Sequence, residues 1–94
     1  MYVRVVRFTG VTADQLAATE ARVRESGGPP PGVNSTGISF LYDADQQNVV
    51  VLQNYASASD MEEAAKILDA MDSGETPGTR VSVDSCEVRL ELKG

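Results

Sequence analysis

An antiparallel α+β fold, with elements in the order β-α-β-β-α-β, is predicted by three features of this 94-residue chain. Two segments carry apolar residues at helical spacing, and four carry the β-branched and aromatic runs expected of strands. Between them, residues 27–32 read "GGPPPG", and neither side of that run is long enough to bury a core alone. The run is therefore expected to be a corner inside one domain spanning 1–94, not a linker between two.

Tyr2 to Thr9 reads as the first strand, with Val3, Val5, Val6 and Phe8 as β-formers and Arg4 and Arg7 interspersed. Gly10 ends it. Thr12 followed by Gln15 is a capping-box pattern, and Asp14 adds negative charge to a first helical turn. Leu16 and Val23 lie two turns apart on one face of that helix, with Ala13, Ala17 and Ala21 beside them. Glu20 interrupts the face, and Arg24 stands four residues on, where it can pair with it. Gly27 and Gly28 suit the left-handed residue that closes a helix, and Pro29 to Pro31 then hold the chain extended.

Thr36, Ile38, Phe40 and Tyr42 alternate with Gly37, Ser39 and Leu41 to give a second strand. The polar stretch Asp43 to Asn48 turns the chain into a third, Val49 to Tyr55, so the two form a hairpin. Val49 to Leu52 has no polar alternation, which predicts burial on both faces. Ser57 with Asp60, and Ser59 with Glu62, each offer a helix start, and Met61, Ala64, Ala65, Leu68 and Met71 then recur at helical spacing. After a loop over Gly74 to Gly78, Arg80 to Leu92 reads as the last strand. Its apolar parity shifts from Val81 and Val83 to Cys86, Val88, Leu90 and Leu92, which predicts a bulge near Asp84 and Ser85.

With right-handed crossovers this order is the ferredoxin-like split βαβ arrangement, one antiparallel sheet with two helices on one face. A third strand buried on both sides then requires cover for the opposite face, and a second copy of the chain is the simplest cover, so a homodimer is expected. The net charge of −6 comes without a basic cluster, which argues against a nucleic-acid surface. No apolar run approaches the roughly 20 residues of a membrane helix. Met1 leads straight into a strand pattern, and the single cysteine suits a reducing compartment, so a cytoplasmic protein is expected. There is no histidine, and no carboxylates at metal-ligand spacing, so no metal site is expected.

Two stretches carry a family resemblance. "NVVVLQNYASASDMEEAAKIL", residues 48 to 68, resembles the succession of strand, aromatic, serine and helix in the antibiotic-biosynthesis monooxygenase-like domains of the dimeric α/β-barrel superfamily. "PPPGVNSTGISFLYD", residues 29 to 43, resembles that family's entry into its second strand. The resemblance implies ferredoxin-like units pairing into a dimeric α/β barrel, with the last strand reaching towards the partner. Members that degrade haem rely on an asparagine, a tryptophan and a histidine. Here Tyr55 stands where the tryptophan would be and Ala65 near the histidine's place, and the first strand has no asparagine, so haem degradation is not expected and no cofactor is implied.

The candidate ligand-binding residues are Tyr55, Gln53 and Arg7, as walls of a cavity in the dimer. Tyr55 could hydrogen-bond a phenolic substrate, or be a core aromatic with a wet hydroxyl. Arg4 and Arg7 point to opposite faces of their strand, so one of them enters a covered region, either to bind an anion or to pair with Glu87 or Glu91. Gln53 and Asn54 also face opposite ways. Cys86, in the apolar parity of its strand, is expected to be a small buried hydrophobe. "NST" at Asn34 matches a glycosylation acceptor by chance. Two functions fit: binding of a small organic molecule in a dimer cavity, or cofactor-independent monooxygenation of an aromatic or polyketide-like substrate.

Overall fold

The computed structural model describes residues 1–28, 32–71 and 78–92, with backbone alone over 69–71. It contains β1 (Tyr2–Thr9), α1 (Ala13–Ser26), β2 (Ser35–Asp43), β3 (Asn48–Tyr55), α2 (Ala58–Met71) and β4 (Thr79–Glu87). The strands form one antiparallel sheet in the order β2-β3-β1-β4, the ferredoxin-like topology the sequence predicts. Elements from both sides of the glycine-proline run share that sheet. Pro29 to Pro31 themselves, and the loop residues 72–77, lie outside the described residues.

Local chemistry sets the element ends. Thr12 caps α1: its hydroxyl accepts from the Gln15 N–H at 3.3 Å, and the Gln15 side chain accepts from the Thr12 N–H at 3.0 Å. Gly27 closes the helix at φ 71, a left-handed conformation that costs glycine nothing. Ser57 caps α2, its hydroxyl accepting from the Asp60 N–H at 3.1 Å, which selects the earlier of the two starts. The β2–β3 turn is held by Asp43, whose two carboxylate oxygens accept from the backbone N–H and side-chain amide of Gln46. Val11 ties this turn to the end of β1: its N–H donates to the Gln47 carbonyl at 2.9 Å, and its own carbonyl accepts from the Tyr42 hydroxyl at 2.9 Å.

The last strand differs from expectation in two ways. It ends at Glu87, not Leu92, because its partner β1 begins at Tyr2, which pairs with Glu87. The Val88 N–H makes one more bond, to the Met1 carbonyl at 2.9 Å, and beyond it Leu90 and Leu92 stand exposed. The bulge falls at Val81 instead of near Asp84 and Ser85: Arg7 pairs with Ser82 and Phe8 with Arg80, so Val81 is the extra residue. Cys86 is exposed, against expectation, because it lies on an edge strand with its side chain on the sheet face away from the helices.

Pairing fixes the two faces of the sheet. Tyr2, Arg4, Val6 and Phe8 of β1 share the helix-facing side with Val49, Val51, Gln53 and Tyr55 of β3. Val3, Val5 and Arg7, with Val50, Leu52 and Asn54, face the other way. The Val49 to Leu52 run follows this division, with Val49 and Val51 buried and Val50 and Leu52 half-buried. Under the helices the core falls into two clusters. Val6, Val11, Leu16, Val49 and Val51 make one, with Phe8, Phe40 and Tyr42 against it. Val33, Tyr55, Met61 and Ala64 make the other, with Tyr2, Ile67 and Leu68. On α1 only Leu16 is buried; Ala13, Ala17 and Ala21 are exposed, as the thinness of its apolar stripe implies.

Candidate functional site: a buried polar row between two cores

The two apolar clusters are separated along β1 and β3 by a rung that is not apolar. Arg4 pairs with Gln53, and Gln53 pairs in turn with Ile38 of β2. The rung above is Val6–Val51–Phe40, and the rung below brings Tyr2 against Tyr55. The strand pleat sends all of these side chains to the helix side, so the row sits in the seam between the cluster under α1 and the cluster under α2.

Arg4 is only 5% exposed, and Tyr55 is fully buried. Both donate to one atom: Arg4 Nη1 to Gln53 Oε1 at 3.1 Å, and the Tyr55 hydroxyl to the same oxygen at 3.4 Å. A guanidinium carries a fork of donors, and a phenol has one. Burial pushes the Tyr55 hydroxyl above its usual pKa of 10.0, with the Arg4 charge pulling weakly the other way, so the phenol stays protonated and donating at neutral pH. Two convergent donors on a single oxygen, one of them cationic, form a site that favours an acceptor bearing negative charge.

Thus Tyr55 and Gln53, two of the three candidates from the sequence, come together. Arg7 does not join them. It projects from the opposite face of β1 and pairs with Asp84 of β4 at 2.8 Å. The expected carboxylates, Glu87 and Glu91, are not its partners; Glu87 pairs with Arg89 at 3.3 Å. The residue that sequence reasoning left undecided is Arg4. Its parity with Val6 and Phe8 was the available signal, but Val3 and Val5 make the other face of β1 look equally apolar. Ala64 of α2 is fully buried in the same cluster as Tyr55, and Ala65 beside it is half-buried. Among the described residues, no cluster of three or more cysteine, aspartate or glutamate side chains could hold a metal ion.

No family model matches the chain, and no curated protein matches its sequence. Two solved structures match its fold over essentially the whole length. One is Rv0793 from Mycobacterium tuberculosis, with a TM-score of 0.64, 18% identity and 98% of each chain covered. The other is the R26S mutant of MhuD with two manganese protoporphyrin IX molecules bound per active site, with a TM-score of 0.62, 16% identity and both chains covered in full. The chain thus shares with these two structures the ferredoxin-like βαββαβ fold that the sequence predicts. At these identities the likeness speaks for the fold alone.

Proposed function

We propose that this protein binds a small organic molecule through an acceptor oxygen, a carbonyl or phenolate, at the Arg4–Gln53–Tyr55 row, and that it works as a homodimer. The observation that carries the reading is the convergence of Arg4 and Tyr55 on Gln53 Oε1. A ligand oxygen taking the place of that amide oxygen would receive both hydrogen bonds. Gln53 is the half-buried member of the row, and Ile38 next to it is 45% exposed, so the row is approached from the β2 side. MhuD, which shares the fold, holds planar porphyrins, which supports an organic ligand of some size here without naming it.

The homodimer rests on the other sheet face. Val3, Val5, Val50 and Leu52 remain half-buried there, and Leu41 is 50% exposed. A second sheet packed on this face would remove a continuous apolar surface from water, and two-fold symmetry lets one patch serve both partners. The alternative function, monooxygenation without a cofactor, uses the same row, with the oxyanion of the substrate held by Arg4 and Tyr55.

Native mass spectrometry of the purified protein, with a panel of phenols and polyketide-like aromatics and with oxygen uptake recorded alongside, tests both parts. A dimer that retains such a ligand without turnover supports the binding reading, and oxygen uptake lost in Tyr55→Phe shifts the assignment to the monooxygenase. A single-chain mass rules out the dimer. Ligand binding unaffected by Gln53→Leu and Tyr55→Phe together removes the row as the site.

A further inference from the structure

The Arg4–Gln53–Tyr55 row is closed by one of its own members. Arg4 and Tyr55 are fixed by burial, the guanidinium almost wholly and the phenol without any exposed surface. Gln53 is half-buried, and its carboxamide oxygen receives both donors, at 3.1 and 3.4 Å. The second of these bonds is stretched beyond the usual range for an O–H donor. A glutamine has several rotatable bonds between backbone and amide, so Gln53 can leave this position by a change of rotamer alone. Arg4 and Tyr55, packed beneath the helices, do not share that freedom.

Gln53 also stands beside an apolar surface that the helices leave open. Ile38, its neighbour on β2, is 45% exposed, and Phe40 is only partly buried against the first cluster. Both lie on the helix side of the sheet, so the face assigned to the homodimer does not cover them. A group entering from the β2 edge therefore meets Ile38 first, then Gln53, and behind it the two donors. The amide oxygen is a neutral acceptor. An oxyanion in its place makes the Tyr55 bond charge-assisted and the Arg4 bond ionic on both sides, a gain that a neutral carbonyl does not have.

We infer that Gln53 is a gate. In the free protein its carboxamide occupies the site as an internal ligand, and an apolar ring carrying an oxyanion (a phenolate or an enolate) displaces it, seated on Ile38 and bonded to Arg4 and Tyr55. This rests on the reading of the row as the binding site and narrows its ligand class to the anion. Such a gate weakens every ligand alike, because apparent affinity falls by the fraction of molecules whose glutamine has swung out, whichever ligand follows. Selectivity for the anion then belongs to the two donors, and the common loss of affinity to Gln53. The two contributions are separable.

The test is a calorimetric titration of the full chain with 4-nitrophenolate, at a pH where the phenol is ionised, and with 4-nitroacetophenone as the neutral counterpart. The phenolate is expected to bind roughly tenfold or more tightly than the ketone. Gln53→Ala empties the site and should tighten both by one common factor, leaving their ratio unchanged, while Ile38→Ser should weaken both. Circular dichroism checks that the variants fold. A second readout needs no variant: the side-chain amide resonances of Gln53 in the wild type should move as the phenolate saturates. Weaker or unchanged binding in a folded Gln53→Ala, a ketone as tight as the phenolate, unchanged binding in Ile38→Ser, or a Gln53 amide that stays still would each overturn the assignment. Where Tyr55→Phe still weakens binding, the row remains the site and the gate alone falls. No binding of either probe to the wild type or to Gln53→Ala overturns both.

Discussion

Replacing Gln53 by leucine should cost far more stability than replacing Tyr55 by phenylalanine, although both belong to one hydrogen-bonded group. Gln53 Oε1 accepts from both Arg4 Nη1 and the Tyr55 hydroxyl, at 3.1 and 3.4 Å. Leucine of similar size removes that oxygen and leaves a 5%-exposed guanidinium and a fully buried phenol each short of an acceptor. A lost bond to a buried charged group costs about 1.5–3 kcal/mol and a stretched neutral one about 0.5–1 kcal/mol, so Gln53→Leu should lose about 2–4 kcal/mol. Tyr55→Phe removes only the longer bond and takes its own donor with it; the oxygen keeps Arg4, and the ring keeps its packing. Its cost should stay below about 1 kcal/mol. For a domain of this size each kcal/mol moves Tm by roughly 4–8 °C, so the two variants separate clearly in thermal melts, with urea titrations at one fixed protein concentration giving the free energies. Equal losses in the two variants, or a neutral Gln53→Leu, would show that the shared oxygen is not what satisfies the row.

Alkaline titration tests the same phenol. Tyr55 titrates above 10.0 in the folded chain because burial disfavours the phenolate, so its contribution to stability is complete below pH 10 and is lost as pH rises towards the folded value; the wild type should therefore lose more stability above pH 10 than Tyr55→Phe, measured by urea unfolding at each pH. Gly78→Ala should destabilise by about 2 kcal/mol or more, because Gly78 sits at φ 76 and a new Cβ would meet the Thr9 carbonyl and come within 2.7 Å of Val11 Cγ2. Gly27→Ala, at φ 71 with open space around it, should cost only about 1 kcal/mol, and similar melting temperatures for the two would refute the steric part of the reasoning. Ala64→Leu should destabilise by about 1–3 kcal/mol or more, since Ala64 has no exposed surface and lies in one cluster with Tyr55 and Met61; an unchanged midpoint would mean that α2 is docked otherwise.

Most of the architecture was legible because its signals are local. The capping box at Thr12 and Gln15, the closing Gly27 and the spacing of Met61, Ala64 and Leu68 each depend on residues within a turn or two of one another. The errors lie where an element depends on a distant partner. The length of β4 is set by where β1 begins, and nothing within 80–92 records that Tyr2 pairs with Glu87. The bulge went to Asp84 and Ser85 because the apolar parity changes there, whereas the register with β1 puts the extra residue at Val81. Cys86 looked buried because it follows the parity of Val88 and Leu90, but those residues lie past the end of the sheet. The candidate site shows the same limit. Tyr55 and Gln53 are i and i+2 on one strand, so their shared face can be read directly, but which arginine joins them requires knowing which face of β1 meets the helices.

That last ambiguity has a physical resolution. Arg4 and Arg7 are separated by three residues on one strand, so the pleat must send them to opposite sides of the sheet. Arg4 shares its side with Val6 and Phe8, both of which pack beneath α1, and the two helices cover that side alone. The buried guanidinium must then find acceptors, and Gln53, directly opposite on β3, supplies one. Arg7, on the side without helices, keeps its hydration and needs only the exposed Asp84. A one-residue slip of β1 would exchange these environments, placing Arg7 and Val5 beneath the helices and Val6 in the open. The same pleat that fills the core therefore divides two cations of one strand between a dry, hydrogen-bonded row and an exposed ion pair.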